Sequence, residues 1–249
     1  MRKKLYIVGI GLMFALASCG GGEEKKEETQ PTKSEAPAAT ATLMGKISFE
    51  GAVPENPKIQ MKADPKCPQD PNARAEEYVV TDGGLDNVIV YISSGIEGKK
   101  FPVPSSPVVI DQHGCHYVPH AFTVQTGQTI KITNSDDTAH NIHALADKNT
   151  PFNFAQPVKG AENEQKFDKP EMPLKVKCDV HPWMGAWIGV FDHPYHTVSA
   201  KGGQYEIKLP PGKYEVTAWH EKLGSQKQMV EVTDSGMVHA DFTFKAEGK

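Results

Sequence analysis

From residue 41 onward the chain carries no apolar repeat at the 3.6-residue period of a helix. It is written as short β-rich runs separated by Gly, Pro, Asn and Asp. The runs are MGKISFEG, EYVV, NVIVYIS, PVVID, AFTVQ, TIKITN, LKVKC, AWIGVF, QYEIKL, KYEVTAWH, KQMVEV and HADFTF. Several alternate apolar and polar residues with a period of two, the mark of a strand with one face in a core and one in water. PPGK at 210–213 and TGQ at 126–128 supply turns between them. Short strands at regular spacing predict an all-β protein built of sandwiches rather than a parallel sheet. Residues 144–172 are less regular and fit either a short helix or loops alone. A length of 249 residues allows one or two domains.

The N-terminus is of a different kind. MRKK followed by LYIVGIGLMFALA reads as an export signal over residues 1–18, a basic start and an apolar run too short to span and stay. LASC, ending at Cys19, resembles a lipobox. That resemblance implies cleavage before Cys19, lipidation of its thiol and a membrane anchor. Gly20, with no acid directly after it, leans by the same resemblance towards an outer membrane, so a periplasmic or surface location is expected. Residues 19–40 are almost free of apolar side chains and cannot fold. They read as a flexible linker of roughly 20 residues. Removing Arg2, Lys3 and Lys4 leaves 24 basic against 31 acidic side chains, a net charge of about −7. That balance argues against a nucleic-acid partner.

The chemistry gathers in VKCDVHPWMGAWIGVF, residues 176–191, where Cys178, His181 and Met184 stand three apart. Zinc takes Cys and His but rarely a thioether, and calcium and magnesium prefer oxygen. Soft sulfur with imidazole selects copper, and two His and one Cys with a weak axial Met is the blue-copper donor set. The loop supplies one His. NSDDTAHNIHAL offers His140 or His143, which point apart on an extended strand, so one of the two is expected to ligate. The cysteine ends one strand and the methionine precedes the next, so the loop is pinned at both ends. Pro182 has no N–H to offer the sulfur.

Residues 117–191 resemble a cupredoxin, the family of plastocyanin and amicyanin. YVPHAFTVQTGQTIKITNSDDTAHNIHAL is similar to the family's strand, turn and first-ligand region, and KVKCDVHPWMGAWIGVF to its ligand loop. The two-residue gaps between ligands are most similar to amicyanin. The resemblance implies one type 1 copper held by His140, Cys178, His181 and Met184. Asn141 is expected to tie the two ligand loops together. Trp187 is expected to pack in the core. Trp183 is read as either a loop residue or an aromatic docking contact beside the metal.

With Cys19 lipidated and Cys178 a ligand, Cys67 and Cys115 are left to pair, and an exported chain lives where disulfides persist. The other use of Cys115 is a second metal site with His113, His116 and His120; the tract lacks the CxxCH order of a c-type haem. His193, His196, His220 and His239 read as surface or hydrogen-bonded residues, and His143 as packed beside the site.

GKISFEGAVP and LDNVIVYISS on one side of the cupredoxin-like segment, and GGQYEIKLPPGKYEVTAWH onward on the other, together resemble a carboxypeptidase regulatory-like, transthyretin-like sandwich. This implies residues 41–112 with 194–246 as one split sandwich and 113–193 as a cupredoxin domain inserted in it, an arrangement that loops tolerate; consecutive small β modules are the other reading. The implied function is lipid-anchored, single-electron transfer outside the cytoplasm to a cytochrome or a copper- or haem-containing oxidoreductase. Copper storage or delivery and adhesion through the outer sandwich are the rivals. No nucleophile, general base or acid forms a constellation, so no enzymatic reaction is expected.

Overall fold

The computed structural model describes residues 40–233 and 236–246. The expected export signal, the lipidation expected at Cys19 and the linker up to residue 39 lie outside the described residues. Within them the chain is all-β. A three-residue 3-10 turn, Met61–Ala63, is the one helical element among the described residues.

Two sheets are made by the chain's outer parts. Ala41–Glu50 is the spine of the first. Its side chains alternate buried and half-buried along almost its whole length, as period-two patterning requires. Gln204–Leu209 pairs with it antiparallel, Gly236–His239 and Phe242–Lys245 run parallel to its two halves, and Gly84–Leu85 and Val80–Thr81 extend the sheet. The second sheet runs in the order His196–Val198, Ile89–Ser94, Gly212–His220, Gly224–Val232. Leu43, Ile47, Val90, Ile92, Tyr214, Val216, Phe242 and Phe244 from these sheets share one core. Each such side chain taken fully out of water contributes about 1.5–3 kcal/mol.

Two further sheets come from the middle of the chain. One is ordered Phe152–Gln156, His140–Leu145, Glu171–Lys177, Gly185–Phe191, Ala121–Gln125. The other is Glu162–Gln165, Ile130–Asn134, Val108–His113, His116–Val118. Ile110, Tyr117, Phe122, Ile132, Ile142, Leu174, Val176 and Ile188 fill the core they share. Ile89, Ala121 and Phe191, with Tyr91, Val198 and Trp219 against them, join the two halves.

Two features differ from the sequence expectation. Residues 144–172 hold two strands, Phe152–Gln156 and Glu162–Gln165. Both lie at sheet edges; Glu162–Gln165 is polar throughout, and Phe152–Gln156 turns only two apolar side chains, Phe152 and Phe154, to the core, so the apolar signal is short. The inner sheets also begin before residue 113. Val108–His113 pairs in parallel with Ile130–Asn134, and Ile59, Met61 and Cys67 pack in the inner core. The segment 57–75 leaves the outer half as a loop closed at its base, where Ile59 N–H donates to Ala73 O and Ala75 N–H to Pro57 O. Its tip reaches the site described next.

Candidate metal centre

Antiparallel pairing sets the site. Glu171–Lys177 lies between His140–Leu145 and Gly185–Phe191, with Lys177 opposite both His143 and Gly185. Cys178 therefore leaves the sheet beside the strand that His140 begins. The chain from 178 to 184 is a tight loop, closed by Cys178 N–H donating to Met184 O (3.1 Å) and Met184 N–H to His181 O (2.9 Å). His181 N–H donates to Cys178 Sγ (3.4 Å), so the sulfur keeps an amide contact although Pro182 has none to give.

This brings His140, Cys178 and His181 together, one ligand atom from each within 4.8 Å of the others and all three side chains buried. The two Nδ1 atoms are 2.9 Å apart, and His181 Nδ1 is 4.0 Å from Cys178 Sγ. Met184 is buried in the same core, 2% exposed.

Each imidazole is held from behind. His140 Nε2 lies 2.9 Å from Asp136 Oδ2, and His181 Nε2 lies 3.1 Å from Asp64 Oδ2. An ionised carboxylate only accepts, so each ring carries an N–H on Nε2 and directs its Nδ1 inward. Burial holds the His140 pKa below the ordinary imidazole value, against the pull of Asp136. The Thr138 hydroxyl, then the Lys66 amide, keep Asp64 below the usual carboxylate range. For Asp136, burial alone would raise the pKa, but the amides of Cys115 and Gly114 more than offset it. Two converging Nδ1 atoms and a cysteine sulfur, shielded from water, are a donor set that suits a soft or borderline cation.

Asn141 bridges the two ligand loops. Its Oδ1 accepts from Asp179 N–H (2.7 Å) and sits 3.3 Å from Cys178 Sγ. Its Nδ2 donates to Asn153 and Asp179. His143 points to the other side of the strand, half-buried, with Nδ1 3.1 Å from Asp179. Cys67 and Cys115 form a disulfide, Cα–Cα 5.6 Å. It lies against the site, with Cys67 Sγ 3.7 Å from His181 Nε2. His113, His116 and His120 do not form a centre of their own. Among the described residues the clusters of three ligating side chains all involve His140 or His181. His120 instead pairs with Glu221 at 2.5 Å.

Trp187 is half-buried at the seam between the halves rather than in a core, edge-on to Trp219 (centroids 5.2 Å) under Lys175. Trp183, also half-buried, stacks obliquely on His181 (5.1 Å) and donates from Nε1 to Cys115 O (3.0 Å). His193 and His220 are buried rather than at the surface and are hydrogen-bonded, His193 Nδ1 accepting from Tyr195 N–H (3.1 Å) and His220 Nδ1 from Lys222 N–H (3.3 Å). The residues that sequence reasoning missed are Asp64 and Asp136. Each is a single acid in a polar loop, and only DPKC and NSDD beside a cysteine and a ligand histidine could have hinted at them.

No protein-family model matches the chain, and no curated protein matches it. Among solved structures it is similar to a Cu-containing nitrite reductase from Thermus scotoductus SA-01, at 19% identity over 41% of this chain and 26% of the reductase, TM-score 0.34. The chain thus spans about a quarter of that enzyme's length. It is also similar to a purple cupredoxin from Nitrosopumilus maritimus, at 23% identity over 33% of this chain and 98% of the other, TM-score 0.29. A third is amicyanin from Paracoccus versutus, at 19% identity over 41% of this chain and 96% of the other, TM-score 0.31.

Proposed function

We propose that the chain binds one copper ion through His140, Cys178 and His181, with Met184 as the weak fourth ligand, and passes single electrons to a partner protein outside the cytoplasm. The observation that carries this reading is the convergence of two imidazole nitrogens and one cysteine sulfur in a buried pocket built from two separate loops. Copper, when bound to such a set, supplies a one-electron couple. The protein's own residues do the rest. The paired strands and the closed 178–184 loop keep the ligands from moving when charge changes. Burial excludes water, and Asn141 fixes the distance between the loops.

Pro182, exposed, and Trp183, half-buried against His181, are the loop's outward face in this reading. A redox partner, a cytochrome or a copper- or haem-containing oxidoreductase, docks there in a small transient contact. The outer strands act as a host sandwich into which the copper module is inserted. Lipid on Cys19 with the following linker holds the whole at a membrane, the outer one favoured. The chain performs no bond-making chemistry of its own.

The test is a copper titration of the exported chain, followed by stepwise reduction and reoxidation. Uptake of one equivalent with fully reversible one-electron cycling is expected. Uptake without reversible cycling would instead favour a storage or delivery role.

A further inference from the structure

We infer that Asp64 and Asp136 are a matched pair of positioning residues that lock both imidazoles for metal binding and bias the bound ion towards its higher charge. The inference rests on the copper reading above and adds what sets the ion's redox preference.

The two contacts are equivalent in kind. Asp136 Oδ2 faces His140 Nε2 at 2.9 Å and Asp64 Oδ2 faces His181 Nε2 at 3.1 Å. The imidazoles are nearly sealed from solvent, and the carboxylate side chains are 14% and 20% exposed. The acids come from unrelated stretches, yet one turn organises both. At residues 114 and 115 the backbone is left-handed, φ 63° and 58°, the pattern of a two-residue type I′ hairpin turn. His113 and His116 pair across it. The turn's two amides donate to Asp136, Gly114 N–H to Oδ1 and Cys115 N–H to Oδ2, both at 2.8 Å. The same Cys115 is bonded through sulfur to Cys67, three residues after Asp64. Thr138, two residues after Asp136 in the loop that leads to His140, donates its hydroxyl to Asp64.

Two consequences follow. A carboxylate on Nε2 fixes the tautomer and the ring plane, so both Nδ1 atoms are pre-aimed. A negative charge directly behind each ligand, in a buried setting where screening is weak, favours Cu(II) over Cu(I).

The experiment compares wild type with D64N, D136N and the control D137N, each as the full exported chain. Asp137 is the exposed neighbour of Asp136, and its side chain faces Lys159 rather than a ligand. Copper(II) and copper(I) affinities are measured by competition with a chelator, and the reduction potential by spectroelectrochemistry. D64N and D136N are each expected to weaken Cu(II) at least tenfold more than Cu(I), which is about 59 mV upward for one electron. D137N is expected to leave the potential at the wild-type value. Potentials for D64N and D136N equal to that of D137N would overturn the inference while leaving the copper reading intact. A wild-type chain that takes up no copper overturns both. Where D64N folds poorly, D136N and D136E decide: a potential raised in D136N and returned to wild type in D136E supports the inference, and a D136N potential equal to that of D137N overturns it.

Discussion

Asn141 does two jobs with its side-chain amide, the oxygen accepting from the residue after Cys178 and the nitrogen reaching Asn153 and Asp179, while its backbone carbonyl separately accepts from Tyr117 Oη at 2.5 Å. Removing the side chain leaves the part-buried Asp179 N–H without its acceptor, a loss of about 1–3 kcal/mol. Asn141→Ala is therefore expected to lower the unfolding free energy by at least about 1 kcal/mol, read from urea midpoints on the metal-free chain. An unchanged midpoint would mean the bridge is not structural. Asp179, at the other end of this network, is kept well below the usual carboxylate range by Lys177 first and Asn153 next. Single residues were legible in the sequence only where spacing or chemistry marked them. Cys178, His181 and Met184 announce themselves by their regular separation and soft donors, and His140 by its place after NSDD. Asp64 is invisible in that way, because its partner His181 lies 117 positions away and one acid in a loop carries no pattern.

At the scale of elements, the alternation of Ala41–Glu50 and Gln204–Leu209 is visible in the sequence because a half-buried strand must repeat every two residues. Phe152–Gln156 and Glu162–Gln165 are hard to see in the sequence, the first an edge strand that turns only two apolar side chains, Phe152 and Phe154, to the core and the second polar throughout. The sequence places the loop 57–75 with the outer half, because nothing local says where a loop's tip comes to rest. The disulfide decides that. It closes 48 residues of chain, and the chain-entropy relation assigns such a loop about 4 kcal/mol. The double variant C67S/C115S is expected to lose a few kcal/mol by chemical denaturation. Since Cys67 and Asp64 share the loop's tip, His181 should also become more open to solvent, seen as faster carboxyethylation of its ring by diethyl pyrocarbonate. Unaltered stability and reactivity would show that packing alone holds the loop.

For the whole molecule, the buried histidines set the response to acid. His193, among Phe101, Phe191 and Tyr195, has its pKa pushed down by burial to about 4, as does His220, beside Tyr78 and Phe244. Unfolded, each titrates near 6.5. Between those values the unfolded chain binds more protons than the folded one, so stability falls as pH falls. From about pH 6.5 down to about 4, each contributes a slope of up to about 1.4 kcal/mol per pH unit. Unfolding free energies at pH 7 and pH 5 are expected to differ by several kcal/mol, and His220→Gln to make the slope shallower. A flat profile over this range would contradict the burial of these rings.

The central claim, that one cation is held between two imidazoles and the Cys178 sulfur, is tested most directly by the visible spectrum of the Cu(II)-loaded chain compared with that of Cys178→Ser. The account predicts an intense thiolate-to-copper charge-transfer band in the wild type that bleaches on reduction and returns on oxidation, and its loss in C178S with far-UV circular dichroism unchanged. A colourless wild-type protein at full copper occupancy, or a band that survives in C178S, would contradict it.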